Sequence, residues 1–353
     1  MRTKYILASF LLVQILLLQI LQYAPLQIEH YYSNGLYPII SEISRFTLGQ
    51  IPFSVGDLLY IMTIAFIAKW SWNKRKSWKM HWKSNLLSIL SFLSVFYFLF
   101  HLLWGFNYYR QPLFEKMEIK KDYTDADLLS FTEKLITKTN AVHRQITKNN
   151  SIAVLFPYSH NQIFTMNLNG YEKLGTEYSY FTYAHLSIKK SLISLPLTYM
   201  GFGGYLNPFT NEAQVNYLGP MYSFPVTANH EMAHQMGYAS ESECNFIGFL
   251  ATVKNDDLYV QYSGYSMALR YCLSNWQARD EKTFKEIRKR INPGILKNYK
   301  ESELFWKQYD TVIDKAFHAF YDQFLKVNQQ KDGIEGYSKF VNLMVNYYED
   351  KEL

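Results

Sequence analysis

Cysteine is nearly missing from this chain. Cys244 and Cys272 are the two in 353 residues, too few for a disulfide framework, and both read as reduced core residues. Phosphate-binding loops are missing as well: Gly201-Phe202-Gly203-Gly204 fits neither G-x-G-x-x-G nor a loop closed by Lys-Ser/Thr, which excludes the usual nucleotide cradles. There is no repeat and no low-complexity stretch. No small-x-small cleavage site follows the N-terminal apolar run, so it reads as an uncleaved span and not as a secretory signal. The formal charge of +6 calls for no nucleic-acid partner, because Lys69, Lys74, Arg75, Lys76, Lys79 and Lys83 supply six positive charges beside apolar segments, where anionic lipid attracts them.

What is present is apolar and unevenly placed. Residues 5–24 are largely apolar, interrupted by Gln14, Gln19 and Gln22, and as a helix they are long enough to cross a hydrocarbon layer of about 30 Å. Residues 86–106 form a second such run. Between them, residues 55–70 are shorter and carry Asp57, yet Tyr60, Trp70 and Trp72 suit membrane interfaces, so a third span is expected there. The connection before the last span is crowded with Lys and Arg, whereas residues 25–56 hold only Arg45; the basic side faces the cytoplasm. The expectation is a multi-pass protein of the plasma (inner) membrane, in contact with lipid. Residues 1–110 would be the membrane region with three spans, and residues 111–353 a large extracytoplasmic domain.

That second part reads as mainly α with a little β. Thr124-Asp125-Ala126-Asp127 is a helix start ahead of apolar residues at helical spacing from Leu128 to Ile146. Further amphipathic stretches cover 258–275, 283–291, 301–327 and 337–348, with Pro293 and Gly333 as punctuation. Residues 199–206 read as a loop and a short strand. The alternation in 212–217 reads as a strand that is either a substrate-pairing edge or part of an ordinary hairpin. The 30 Tyr and 25 Phe suggest extensive amphipathic surface, such as a groove.

One stretch carries chemistry: His230-Glu231-Met232-Ala233-His234, the H-E-x-x-H pattern. Two histidines four apart share a helix face, so both can reach one Zn²⁺ at about 2.0–2.1 Å, while the intervening glutamate can act as general base on an attacking water. Pro225 ahead of the motif and Gly237 after it suit the two ends of a helix. Ser240-Glu241-Ser242-Glu243 has capping-box form, so a second helix is expected at once, returning beside the histidines. It offers Glu241 or Glu243 as a third ligand. Glu241 is preferred, because Asn245 lies on its face and can support a ligand, whereas Glu243 is expected to close the capping box. His318, Tyr321 and Tyr337 could polarise a carbonyl, but the sequence does not place them.

His230-Glu231-x-x-His234 followed by Glu241-x-x-x-Asn245 resembles the gluzincin branch of the zincin metallopeptidases. The run from Leu206 to Ala213, the motif itself, Glu243-Cys244-Asn245 and Trp104-Gly105-Phe106-Asn107-Tyr108-Tyr109-Arg110 resemble the bacterial membrane family known as domain of unknown function 3810. The resemblances imply a zinc-peptidase-like membrane protein with a zincin-like domain, a zinc cofactor held by His230, His234 and Glu241, and Glu231 as catalytic base; they transfer no known substrate, and a peptide or protein is the expected one. The expected function is thus a membrane-anchored zinc metallopeptidase. The alternative is a non-catalytic zinc-containing sensor or scaffold that binds peptide or cell-envelope components. Oligomeric state is not legible.

Overall fold

The computed structural model describes residues 2–330 and 337–353. Helix α1 (Arg2–Leu21) is followed by a continuous helical segment made of α2 (Pro25–Gln27), a π-helical stretch Ile28–Leu36 and α3 (Tyr37–Leu48). Then come α4 (Val55–Lys74) and α5 (Trp82–Leu103). Among the described residues, α1 and α5 are the helices long and apolar enough to cross a membrane. The expected third span forms a helix of 20 residues, but it falls outside that class for a visible reason. Its first turn belongs to the folded part, where Asp57 accepts from Ser191 Oγ at 3.0 Å and from the Leu192 amide at 2.7 Å, and its far end carries Lys69 and Lys74.

The direction of these helices is fixed by hydrogen bonds. Lys4 Nζ donates to Ser88 Oγ at 2.7 Å and Gln14 Nε2 to the Ser94 carbonyl at 3.2 Å, so α1 and α5 run side by side in the same sense. Helix α4 starts against the folded part, where the Gly56 amide donates to Glu212 Oε2 at 2.6 Å, and α5 returns to it at Trp104, whose Nε1 donates to the His234 carbonyl at 3.2 Å. Lys4 and the basic 75–81 connection therefore sit at one end of the helices. The histidine motif sits at the other.

After α6 (Leu113–Lys116), α7 (Asp125–Thr147) begins with the expected cap: Thr124 and Asp127 close a reciprocal capping box. Helix α8 (His160–Glu177) begins with another, Ser159 with Gln162, an S-x-x-Q signature that the helical-spacing reading passed over. A small sheet follows, formed by β1 (Ile188–Lys190), β2 (Gly204–Leu206) and β3 (Ala213–Val215), with α9 (Ser194–Tyr199) between β1 and β2. The strand order is β1-β3-β2, with β3 parallel to β1 and antiparallel to β2. This corrects one expectation: the 212–217 strand is paired on both sides and cannot serve as an edge. The edge strands are β1 and β2, and β2 is the one that faces the histidine motif.

The chain then runs through α10 (Phe224–Gln235), α11 (Glu241–Val253), α12 (Leu258–Arg279), α13 (Glu281–Lys289), α14 (Pro293–Lys307), α15 (Val312–Val327) and α16 (Tyr337–Tyr347). The expected helix 301–327 is two helices, because Thr311 caps a new one by accepting from the Ile313 amide, and Pro293 opens a helix where a break was expected. Helix α11 lies at the centre of the core. Phe246 to Thr252 are all buried, since α8, α10, α12 and α16 surround them and leave no solvent face. Cys244 and Cys272 are free and buried, as expected of core residues.

The segment 25–48 packs beneath the motif helix. Tyr37 Oη donates to the Gln235 carbonyl at 2.8 Å, and Ser41 Oγ to the same carbonyl at 2.9 Å. Arg110 ties the layers together: its Nε and Nη2 grip Glu29 at 2.9 and 2.8 Å, its Nη1 donates to the Gly237 carbonyl at 2.7 Å, and its guanidinium lies over Tyr238. Both members of the pair are buried. Arg110→Met should therefore strand Glu29 and destabilise the protein by about 3 kcal/mol, the low end of the range for breaking a buried pair, since Lys116 still reaches Glu29. Thermal unfolding in detergent measures this; a second change, Glu29→Gln, should recover part of the loss.

Candidate metal centre

Helix α10 carries Pro225 in its first turn, where a missing amide hydrogen costs nothing, and ends in a glycine turn. Gly237 has φ of +86°, its amide donates to the His234 carbonyl at 2.9 Å, and a Cβ there would lie 2.8 Å from Tyr37 Cε1. Conformation and space both demand glycine. The turn is so short that α11 starts at Glu241 and doubles back along α10. The two backbones approach closely enough that a Cβ on Gly248 would lie 2.9 Å from the His230 amide nitrogen.

This geometry brings His230, His234 and Glu241 together. Glu241 Oε2 lies 3.2 Å from His230 Nε2, and Oε1 lies 3.7 Å from His234 Nε2. Ligand atoms about 2.1 Å from one tetrahedral centre are roughly 3.4 Å apart, so these spacings suit three protein ligands of a single zinc. The other ring nitrogens are occupied. His230 Nδ1 meets Asn245 Oδ1 at 2.9 Å and His234 Nδ1 meets the Tyr238 carbonyl at 2.8 Å. Both partners are acceptors, which assigns the proton of each neutral ring to Nδ1 and leaves the Nε2 lone pairs directed at the cluster. Two imidazole nitrogens and a carboxylate are the donor set expected of such a centre.

Glu231 shares the cluster in a different way. The ligating atoms of His230, Glu231 and His234 all lie within 4.8 Å of one another, but Glu241 approaches both histidines more closely, and we therefore place Glu241 with them and Glu231 beside them. Glu231 Oε2 is buried and has no hydrogen-bond partner among the described residues. Its other oxygen faces β2, where a Cβ on Gly204 would lie 2.6 Å from it. Glu243 is elsewhere: Oε1 accepts from the Leu113 amide at 2.6 Å. Ser240 makes no side-chain cap, so the expected capping box does not form, because Glu243 is drawn into the 110–113 turn instead.

Burial dominates the electrostatics. It works against charge on both rings; at His230 the carboxylates of Glu241 and Glu231 outweigh it and lift the pKa to about 9, while at His234 burial prevails and the pKa falls to about 4. Burial raises Glu231 to about 8, although His230 opposes it. Burial also penalises the Glu241 carboxylate, but His230, His234 and Tyr321 reverse that and hold it at about 2. Burial lifts Glu243 to about 7.

Tyr321 on α15 is the member that sequence could not place. Its Oη donates to Glu241 Oε1 at 2.7 Å. His318 pairs with Asp314 at 3.2 Å, one turn away, and the side chain of Tyr337 lies outside the described residues. The cluster opens into a cavity of about 1510 Å³ that is bounded on one side by β2 and on another by α5 and α15.

The segments that line this site recur in a sequence family. A family described as "Protein of unknown function (DUF3810)" matches residues 32–345, from the π-helical stretch to α16. No curated protein matches the chain, and no solved structure does.

Proposed function

The chain belongs to the DUF3810 family, and we propose that it is a membrane-anchored zinc-dependent metallopeptidase of gluzincin type. The observation that carries this reading is the convergence of His230 Nε2, His234 Nε2 and the Glu241 carboxylate at 3.2 and 3.7 Å, with Glu231 unpaired beside them. Zinc held there would lower the pKa of an attacking water and polarise the scissile carbonyl.

The chain's own groups supply the rest. Glu231 takes one proton from the water as its oxygen bonds to the carbonyl carbon, and passes that proton to the leaving nitrogen as the C–N bond breaks. Asn245 and the Tyr238 carbonyl fix the tautomers of the two rings. The free edge of β2, against which Glu231 packs, offers backbone groups to an extended peptide. Tyr321 gives its one hydroxyl proton to Glu241 Oε1 and so orients that carboxylate toward the histidines. Zinc content and cleavage of a mixed peptide library by purified full-length protein test the reading. A protein that holds no zinc, or holds it and cleaves nothing, overturns it.

The proposal includes topology. Helix α4 would cross as the middle of three spans, with the 75–81 connection and Lys4 in the cytoplasm and the histidine cluster outside. The shared end of Lys4 and the basic connection supports this arrangement. A reporter active only outside the cytoplasm should work when fused after Leu353 and fail when inserted between Asn73 and Lys79. The reverse pattern would put the site in the cytoplasm.

A further inference from the structure

The cavity does not stop at the cluster. Past Glu231 and the β2 edge it continues between α4 and α5, where Ile64 and Ile67 face it from one helix and Phe92, Leu93 and Phe96 from the other. All five stay exposed, because among the described residues α4 packs little against α5. Two ring contacts join this cleft to β2 and the turn after it: Tyr60 stacks on Tyr205 of the strand at 6.0 Å, and Phe96 meets Phe209 beyond the strand in a tilted contact at 4.9 Å. Away from α4 and α5 the same cavity turns polar, with Ser263, Ser266, Ser302 and Arg270 on its wall.

We infer that the substrate is a lipid-anchored peptide whose acyl chain enters sideways from the bilayer and lies between α4 and α5, with its peptide part along β2 and the scissile amide at the cluster. This rests on the hydrolase reading and narrows it to a substrate class. Three observations select an acyl chain. The cleft is continuous with the cluster, so whatever fills it is covalently or sterically tied to what is cut. Its walls are hydrocarbon and aromatic, with Thr63, Tyr60 and Tyr97 as the polar exceptions, so an extended backbone there would leave its amides and carbonyls unpaired at a cost of several kcal/mol each. The cleft is also open along its side, because Ile64, Ile67, Phe92, Leu93 and Phe96 all stay exposed, so a chain can enter it from the bilayer.

The test uses full-length protein carrying Glu231→Gln, in phospholipid nanodiscs, with an N-palmitoylated mixed decapeptide bearing a photoreactive diazirine in mid-chain. Crosslinks should fall on Ile64, Ile67, Phe92, Leu93 and Phe96. The pair of changes Ile64→Trp and Leu93→Trp should weaken binding of the probe about tenfold, while zinc content stays at the parent value and shows that the fold is kept. Partition of the probe into lipid is the same for both proteins, so this difference reports the cleft alone. Crosslinks on the opposite face of α1, or spread evenly over the helices, would overturn the proposal, as would stronger competition by a 20-residue apolar helical peptide. Two results separate it from the parent reading. Wild type cleaving acylated and plain decapeptide with equal kcat/KM removes the chain site and leaves the peptidase. Crosslinks at the five residues, with zinc bound and neither peptide cleaved, do the reverse.

Discussion

Glu231→Gln should lower peptide hydrolysis by about 10²–10⁴-fold, the range for loss of a positioned acid–base group, while zinc content and unfolding temperature stay near wild type. The expectation follows from where the side chain stands. Its Oε2 has no protein partner to lose, and its neighbours on α10 hold the cluster without it. Glutamine keeps the shape and removes the base. Equal cleavage by both proteins, measured on the same library at saturating zinc, would show that Glu231 has no part in the chemistry. Zinc retained with no cleavage by either would favour the alternative, a zinc-containing module that binds without cutting.

His234→Ala should abolish stoichiometric zinc, because it removes one of three protein ligands and leaves two that cannot complete the centre. Glu241→Gln should do nearly the same. Glu243→Gln should not: its contact is with the Leu113 amide, so it should keep zinc and lose about 1 kcal/mol of stability. Metal analysis of the three purified variants decides between them. Full zinc in the His234 variant would end the assignment, and zinc lost from the Glu243 variant alone would move the third ligand.

Much of the centre was legible because its parts are local. His230, Glu231 and His234 lie within one helical period, Gly237 marks the turn, and Asn245 falls one turn beyond Glu241. That Glu241 and Asn245 share a face of α11 is legible from helix phase, whereas the partner of Glu243 is not: it is the Leu113 amide, 130 residues away, and no pattern in 240–243 reveals it. Sequence does not place Tyr321 for the same reason, since it lies 80 residues from Glu241. Pairing order in the sheet was illegible too, because a three-residue strand carries no sign of whether one or both of its sides are bonded. Residues 25–48 carry the least local sign of their role. Their apolar residues look like a membrane connection, and only the fold shows that Tyr37, Ser41 and Glu29 face the motif helix and its glycine turn through hydrogen bonds and Arg110.

The contact between Tyr37 and Gln235 spans 198 residues of chain. At a synthesis rate of about 5–20 residues per second, the N-terminal segment leaves the ribosome roughly 10–40 s before the helix it supports. During that interval α1 is already complete, and the hydroxyls of Tyr37 and Ser41 wait for a Gln235 carbonyl that does not yet exist. Folding therefore has an order imposed by the chain: the N-terminal helices are laid down first as a platform, and the part that carries the histidine cluster closes onto it last. A fragment started at residue 111 would be translated without its platform, with the Gln235 and Gly237 carbonyls left to water, and is the wrong piece to express.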